Sequence, residues 1–306
     1  MPRTPVDTVT ARAPAKVNLH LSVGAVRPDG YHDLTTVFHA VGLLDEVTLT
    51  RAVGLSVAVE GEGAADVPAD GSNLAARAVL ALAERTGQQP DVRIEIRKGI
   101  PVAGGCAGGS ADAAAALVAC DALWGLGLSR GELSEVGAGL GSDVPFSLHG
   151  GTALGTGRGE RLTPVLGAGA YAWVLALSEG GLSTPAVYDE LDRQRQRGPV
   201  SLVSDPAEVL GALRQGSPEL LGRALRNDLQ PAAVALMPAL RRLLDSGAEL
   251  GALGGVVSGS GPTVAFLCRD DGHATALAAA LAGHGVCRTV RVASGPVPGA
   301  RVVRGD

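Results

Sequence analysis

The chain has 306 residues, 46% hydrophobic and only 3% aromatic, with 26 basic and 31 acidic residues and a net charge of −5. That length favours two domains over one extended core, and Ala, Val and Leu supply enough apolar area to fold without covalent staples. An acidic chain with no basic run argues against nucleic acid. No stretch reaches the roughly 20 apolar residues of a membrane span, and the start lacks a long apolar leader. A cytoplasmic protein is expected, with Cys106, Cys120, Cys268 and Cys287 reduced, since they form no CxxC pair and have no histidines grouped near them.

In chain order, residues 47–59 alternate apolar and polar around Leu55, Val57 and Val59, which predicts a half-buried strand. Ser72 and Asn73 offer N-caps to a helix carrying Leu74, Ala78, Val79 and Leu82 and ending near Gly87. Val92, Ile94 and Ile96, alternating with charged residues, predict a second strand. A glycine-rich run over 99–109 follows, then an alanine-rich helix over 110–123 stopped by Gly125 and Gly127, and a shorter helix over 132–140. Pro and Gly within 163–169 mark a seam before an apolar strand at 172–177, so domains are expected over 1–165 and 166–306. Beyond it, 193–198 reads as an exposed loop, with helices near 208–213, 218–225 and 232–244. A strand at 264–267, a helix over 274–282 and a strand at 287–292 close the chain. The mixture is α+β or α/β; periodicity alone does not choose.

Two features concentrate the chemistry. Of the 26 basic residues only Lys16 and Lys98 are lysines, so a chain that uses arginine for generic surface charge marks both for sites needing a compact ammonium. The run from Pro101 to Asp112 joins a strand to a helix N-terminus, where inward-turned backbone N–H groups and the helix dipole suit a polyphosphate. It is not a Walker A loop, because Ser110 follows Gly109 directly, and not GxGxxG, because Cys106 stands at the second glycine position.

This loop resembles the second motif of the GHMP kinases, with Pro101, Gly105, Ser110, Ala113 and Ala114 in register. Ala13-Pro14-Ala15-Lys16-Val17-Asn18-Leu19 is similar to their first motif, and Val257-Ser258-Gly259-Ser260-Gly261-Pro262-Thr263 to their third. Arg27-Pro28-Asp29-Gly30-Tyr31-His32, Leu140-Gly141-Ser142-Asp143-Val144-Pro145 and Thr184-Pro185-x-x-Tyr188 resemble the diphosphocytidyl-methylerythritol kinases within that superfamily. The departures are Cys106-Ala107, and Ala111-Asp112 where Ser-Asn is usual.

The resemblance implies an α+β, two-domain GHMP kinase fold, its first domain like domain 2 of ribosomal protein S5 and its second ferredoxin-like. It implies ATP as co-substrate with Mg²⁺, and phosphorylation of the 2-hydroxyl of 4-diphosphocytidyl-2-C-methyl-D-erythritol in non-mevalonate isoprenoid synthesis. It carries the catalytic carboxylate onto Asp143, with Lys16 beside it to hold it ionised and to stabilise the developing alkoxide. Tyr31 and Tyr188 are placed around the cytosine with His32 at its edge, Asn18 against the substrate and Thr184 against the tetritol. ATP is expected at Asn73, Lys98, Pro101, Gly104, Gly105, Cys106, Ala107, Gly108, Gly109 and Ser110. No carboxylate cluster marks a metal cage.

By position alone, Asp143 reads equally as a turn cap; the alternative for the tyrosines is ordinary core. Three alternatives stand beside this reading: a homoserine- or mevalonate-type GHMP kinase, a catalytically silent nucleotide-binding sensor of the same fold, and a nicotinamide dehydrogenase. The RxDGYH element and Tyr188 weigh against the first, Lys16 with Asp143 against the second, and a missing dinucleotide fingerprint against the third. Oligomeric state leaves no mark on the sequence.

Overall fold

A computed structural model describes residues 7–102, 104–198 and 205–303; the reading of residues 1–6, and Ala103 of the glycine run, lie outside them. The first half runs β1 (Thr8–Val26), β2 (His32–Arg51), β3 (Ser56–Gly61), α1 (Leu74–Thr86), β4 (Val92–Lys98), α2 (Gly108–Trp124), α3 (Arg130–Leu140), α4 (Val144–His149), β5 (Thr152–Gly157) and β6 (Arg161–Pro164). The second runs β7 (Tyr171–Leu177), α5 (Thr184–Arg197), α6 (Ala207–Gln215), α7 (Pro218–Ala224), β8 (Arg226–Asn227), α8 (Gln230–Leu236) and α9 (Ala239–Glu249). It ends with β9 (Gly254–Val257), β10 (Thr263–Cys268), α10 (Asp271–His284), β11 (Thr289–Gly295) and β12 (Arg301–Val302).

The first sheet is organised by β1 and β2, two long antiparallel strands of which the sequence pattern predicts only the end of β2, from Val47 to Arg51. Along β1, Val9, Ala11, Ala13, Ala15, Val17 and Leu19 all enter the core, the period-two pattern of a strand with one face buried. Lys16, Asn18 and His20 occupy the opposite face. Register shifts between Pro14 and Ala15 and between Asn18 and His20 bracket Lys16 and Asn18, bulges of the kind that re-aim side chains at a site. β4 pairs with β2 and carries β3 in parallel at the edge; β5 and β6 continue the sheet from β2. Helix α2 buries Ala111, Ala113, Ala114, Ala115, Ala116 and Ala119, and these small side chains let a helix that is apolar all round lie deep against the sheet.

The second sheet has the order β11-β7-β10-β9, all antiparallel. Every residue of β7 is buried because both faces are covered: Tyr171, Trp173 and Leu175 join the core of the first sheet, while Ala172, Val174 and Ala176 pack with Val187, Leu191, Leu240 and Leu277 from the helices behind. Residues 165–170 link the two sheets. We propose the domain division there, between residues 165 and 166, with β8 and β12 lent back to pair with β1.

Three predicted elements are corrected. Residues 47–59 are not one strand: β2 ends at Arg51 and β3 begins at Ser56, with Gly54 at φ 74° between them. Residues 193–197 of the expected loop at 193–198 are the C-terminal end of α5, held helical because Arg193 pairs with Glu190 at 2.6 Å and Arg195 donates to the carbonyls of Val23 and Gly24, and Gly198 follows as the C-cap residue. The helix expected over 232–244 is broken at Met237 and Pro238, where proline cannot continue the hydrogen-bond ladder of α8.

Candidate active site

One cavity of about 1010 Å³ gathers nearly all of the expected residues from both halves of the chain. Its floor is the loop between β4 and α2. Gly105 sits at φ 74°, and a β-carbon there would lie 2.8 Å from the carbonyl oxygen of Gly261, so only glycine fits. Ala107 takes the same left-handed conformation as the N-cap residue of α2, and no side chain satisfies the first amides of that helix. The third motif stitches the loop down: Thr263 N donates to Gly104 O at 3.3 Å and Ser258 Oγ to Gly105 O at 3.2 Å. The result is a set of unpaired N–H groups at the positive end of a 17-residue helix, an anion cradle.

Across the cavity, Lys16 Nζ lies 3.7 Å from Asp143 Oδ2. Asp143 precedes α4 but caps nothing with its side chain, so the turn-cap reading falls away. Lys16 is aimed by a relay: Nζ donates to Asn18 Oδ1 at 2.7 Å, Asn18 Nδ2 to Thr36 Oγ1 at 2.8 Å, and Thr36 Oγ1 to His20 O at 2.8 Å. Each donor in this chain is matched, which fixes the Asn18 amide orientation and leaves the ammonium two further protons for Asp143 and a ligand. Gly259, at φ 57°, makes room, since a β-carbon there would stand 3.2 Å from Lys16 Nζ.

At the far end, Arg27 to His32 form a turn closed by Arg27 N on Tyr31 O at 2.6 Å, with Gly30 at φ 81° and Asp29 Oδ1 accepting from Tyr31 N at 3.1 Å. Tyr31 is left half exposed, a ring open to a ligand. His32 is buried, 5.0 Å ring to ring from Tyr188. Tyr188 keeps its proton: burial, and then the charge of Asp143, push its hydroxyl up to about 12. Thr184 bonds Ser260 Oγ at 2.8 Å, both lining the cavity.

The first and second halves of the chain match the models of the GHMP kinase N-terminal domain over residues 73–151 and the GHMP kinase C-terminal domain over 209–287. The 4-diphosphocytidyl-2-C-methyl-D-erythritol kinase of Nocardia farcinica is 61% identical over 295 residues, 96% of each chain. Its Mycobacterium tuberculosis counterpart is 58% identical over 299 residues, 98% of this chain and 94% of that one. The chain belongs to this family of GHMP kinases. A crystal structure of 4-(cytidine 5′-diphospho)-2C-methyl-D-erythritol kinase superposes with a TM-score of 0.77 at 33% identity, covering 93% of this chain and 98% of that one. A homoserine kinase from Cytophaga hutchinsonii matches at TM-score 0.77 over 99% of both chains but at 20% identity, which shows the shared fold alone.

Within this GHMP kinase frame three expected ATP residues behave differently from the rest. Cys106 turns its thiol into the core, where burial raises it, and joins the site through its backbone, its carbonyl accepting from Lys16 N at 3.2 Å. Asn73 lines the cavity, yet its side chain is spent capping α1, accepting from Ala75 N at 2.8 Å and donating to Pro68 O at 2.7 Å. Lys98 is locked between Asp45 and Asp112, the latter at 2.7 Å. Asp45 is completed by the amides of Gly99 and Ile100 at 2.7 and 2.8 Å, whereas Asp112 Oδ1 has no partner among the described residues. Burial opposes the Lys98 charge, but Asp112 and Asp45 overcome it and raise its pKa; burial likewise lifts the Asp112 carboxyl, despite Lys98.

Sequence reasoning missed Asp45, Arg158 and Asp192. Arg158, in the turn between β5 and β6, lays its guanidinium 5.1 Å from the centre of the Tyr31 ring at the cavity wall. Asp192 had a legible signal: Thr184, Tyr188 and Asp192 recur every four residues, one stripe of α5, and all three line the cavity. Arg158 and Asp45 had none, being brought in by β-sheet pairing from far along the chain.

Proposed function

We propose that this chain transfers the γ-phosphoryl group of ATP to the 2-hydroxyl of 4-diphosphocytidyl-2-C-methyl-D-erythritol, a step of non-mevalonate isoprenoid synthesis. The observation that carries this reading is the meeting of three groups in one cavity: the anion cradle, the Lys16–Asp143 pair and the Tyr31–His32–Tyr188 cluster. The cradle amides and Ser110 hold the ATP phosphates. Asp143 receives the proton of the hydroxyl, and Lys16 holds the hydroxyl in line and stabilises the alkoxide as it forms. A carboxylate is in general a weak base, which suffices in a loose transition state where bond cleavage runs ahead of proton removal.

Tyr31 and Tyr188 flank the cytosine with His32 at its edge, Arg158 supplies a cation toward the diphosphate, and Thr184 meets the tetritol. Asn18 serves chiefly by aiming Lys16. Mg²⁺ bound with ATP would neutralise phosphate charge at the cradle; among the described residues no group of three or more His, Cys, Asp or Glu could hold a metal. A cytoplasmic location accords with an ATP-dependent enzyme, and among the described residues no helix is long and apolar enough to cross a membrane.

A coupled assay of ADP release tests the whole reading. Turnover is expected with the cytidylyl substrate and not with homoserine or mevalonate. Activity on either of the latter alone overturns the substrate assignment, and release with none of the three supports a silent sensor.

A further inference from the structure

His32 and Asp192 form a contact that the kinase reaction itself does not require. His32 opens β2 and is buried, its Nε2 lying 3.1 Å from Asp192 Oδ1. Arg195, one turn further along α5, places its Nη1 4.0 Å from the same oxygen while donating to Val23 O at 2.5 Å and Gly24 O at 3.0 Å. The helix carrying Asp192 is thereby tied to the end of β1, and the oxygen facing His32 is kept an acceptor. A carboxylate accepts and does not donate, so the contact demands a proton on Nε2. In a neutral imidazole the other nitrogen, Nδ1, is then left as an acceptor.

We propose that Asp192 fixes the Nε2–H tautomer of His32 and so makes the site select an amino-bearing pyrimidine, cytosine, over uracil. Cytosine presents a 4-amino donor where uracil presents a 4-oxo acceptor. An acceptor Nδ1 bonds the first and faces the lone pairs of the second, leaving a buried polar group unpaired. Tyr188 packs on the His32 ring at 5.0 Å between centroids, and the bond from Nε2 to Asp192 Oδ1 sets which way the imidazole faces. Asp192 is therefore a positioning residue, acting on the base through His32. The inference rests on the placement of His32 at the base edge in the proposed function.

The test uses the cytidylyl substrate and its uridylyl counterpart, the same tetritol on uridine diphosphate. Asp192→Ala should lower the cytidine-to-uridine ratio of kcat/KM by about tenfold or more, through KM for the nucleotide ester. KM for ATP should not follow. Asp192→Asn, which keeps an acceptor oxygen, should restore most of the discrimination, an outcome that general damage to α5 does not produce. Side-chain ¹⁵N spectra of the six histidines, with His32 assigned by its loss in His32→Ala, should show the proton on Nε2 in the parent enzyme. A proton on Nδ1, or an unchanged ratio in Asp192→Ala, overturns the proposal. His32→Ala with an unaltered KM for the cytidylyl substrate removes His32 from the base site and overturns the placement beneath it, whereas a raised KM with an unchanged ratio in Asp192→Ala leaves that placement standing and sinks only the tautomer argument.

Discussion

The two lysines of this chain sit in opposite electrostatic designs within one cavity wall. Lys16 has one carboxylate, Asp143, at 3.7 Å with its side chain 31% exposed. Lys98 has two, Asp45 and Asp112, with side chains 0% and 3% exposed. A loosely paired ammonium facing an open carboxylate can rearrange around a hydroxyl, which is what phosphoryl transfer needs of it. An ammonium closed between two buried carboxylates is occupied, and it ties β2, β4 and the second turn of α2 together under the cradle. A β-carbon on Gly108 would stand 3.2 Å from Lys98 Nζ, so this triad lies directly against the residue that opens the phosphate-binding helix. On the proposed function, the same residue type serves chemistry in one place and scaffold in the other, a difference set by the number and burial of its partners.

The largest effect expected from breaking this contrast is on stability. Lys98→Met leaves Asp45 buried without its cation and should destabilise the fold by about 3–5 kcal/mol, read from urea unfolding. Lys16→Met should cost far less there. If Lys98→Met unfolds with the parent's midpoint, the triad is not a scaffold.

Next in size is catalysis. Asp143→Asn and Lys16→Met should each lower kcat by about a hundredfold or more, worth about 3 kcal/mol of transition-state stabilisation. On the proposal that the two groups act as one unit, the double variant should be little worse than either single one. Near-normal kcat in a folded Asp143→Asn enzyme, or fully multiplicative losses in the double variant, would show that they do not.

Substitution by arginine sharpens the comparison further. Lys16→Arg should fail nearly as badly as Lys16→Met, since a broad planar guanidinium cannot replace a compact ammonium between carboxylate and hydroxyl. Lys98→Arg retains the charge between two carboxylates and should keep much of kcat in the fraction that folds. Equal losses in both would erase the distinction.

The smallest effect concerns Asp112. Burial lifts its carboxyl to about 8 in the folded protein, above about 3.9 in the unfolded chain. Between about pH 4 and pH 8 the native state therefore holds a proton that the unfolded state has shed, and this group subtracts stability as pH rises. Asp112→Asn removes that slope while keeping an oxygen for Lys98, so its stability relative to the parent should increase from pH 5 to pH 8. KM for ATP should stay level, because Oδ2 of Asp112 is turned to Lys98 rather than to the phosphates. A large improvement in ATP binding at saturating Mg²⁺ would place the charge in the nucleotide's path instead.

What the sequence determined by itself was local. Asn73 and Gly87 delimit α1 as capping chemistry requires, Gly125 ends α2, and the glycines of the strand-to-helix turn mark where the chain bends into α2. Motif order narrowed the chemistry, and the rarity of lysine singled out Lys16 and Lys98. Their difference was invisible, because the partners of Lys98 stand 53 and 14 residues away and reach it only through the pairing of β2 with β4 and the docking of α2. The same holds for β1 and β2, whose length comes from pairing with each other and not from any single window of residues. It holds for Arg158, delivered to Tyr31 by a β-turn, and for 193–198, a polar run that is helical because β1 supplies carbonyls to Arg195. Local pattern fixes φ and ψ within a few residues, whereas burial, and with it the charge state and availability of a side chain, depends on what tertiary packing brings against it.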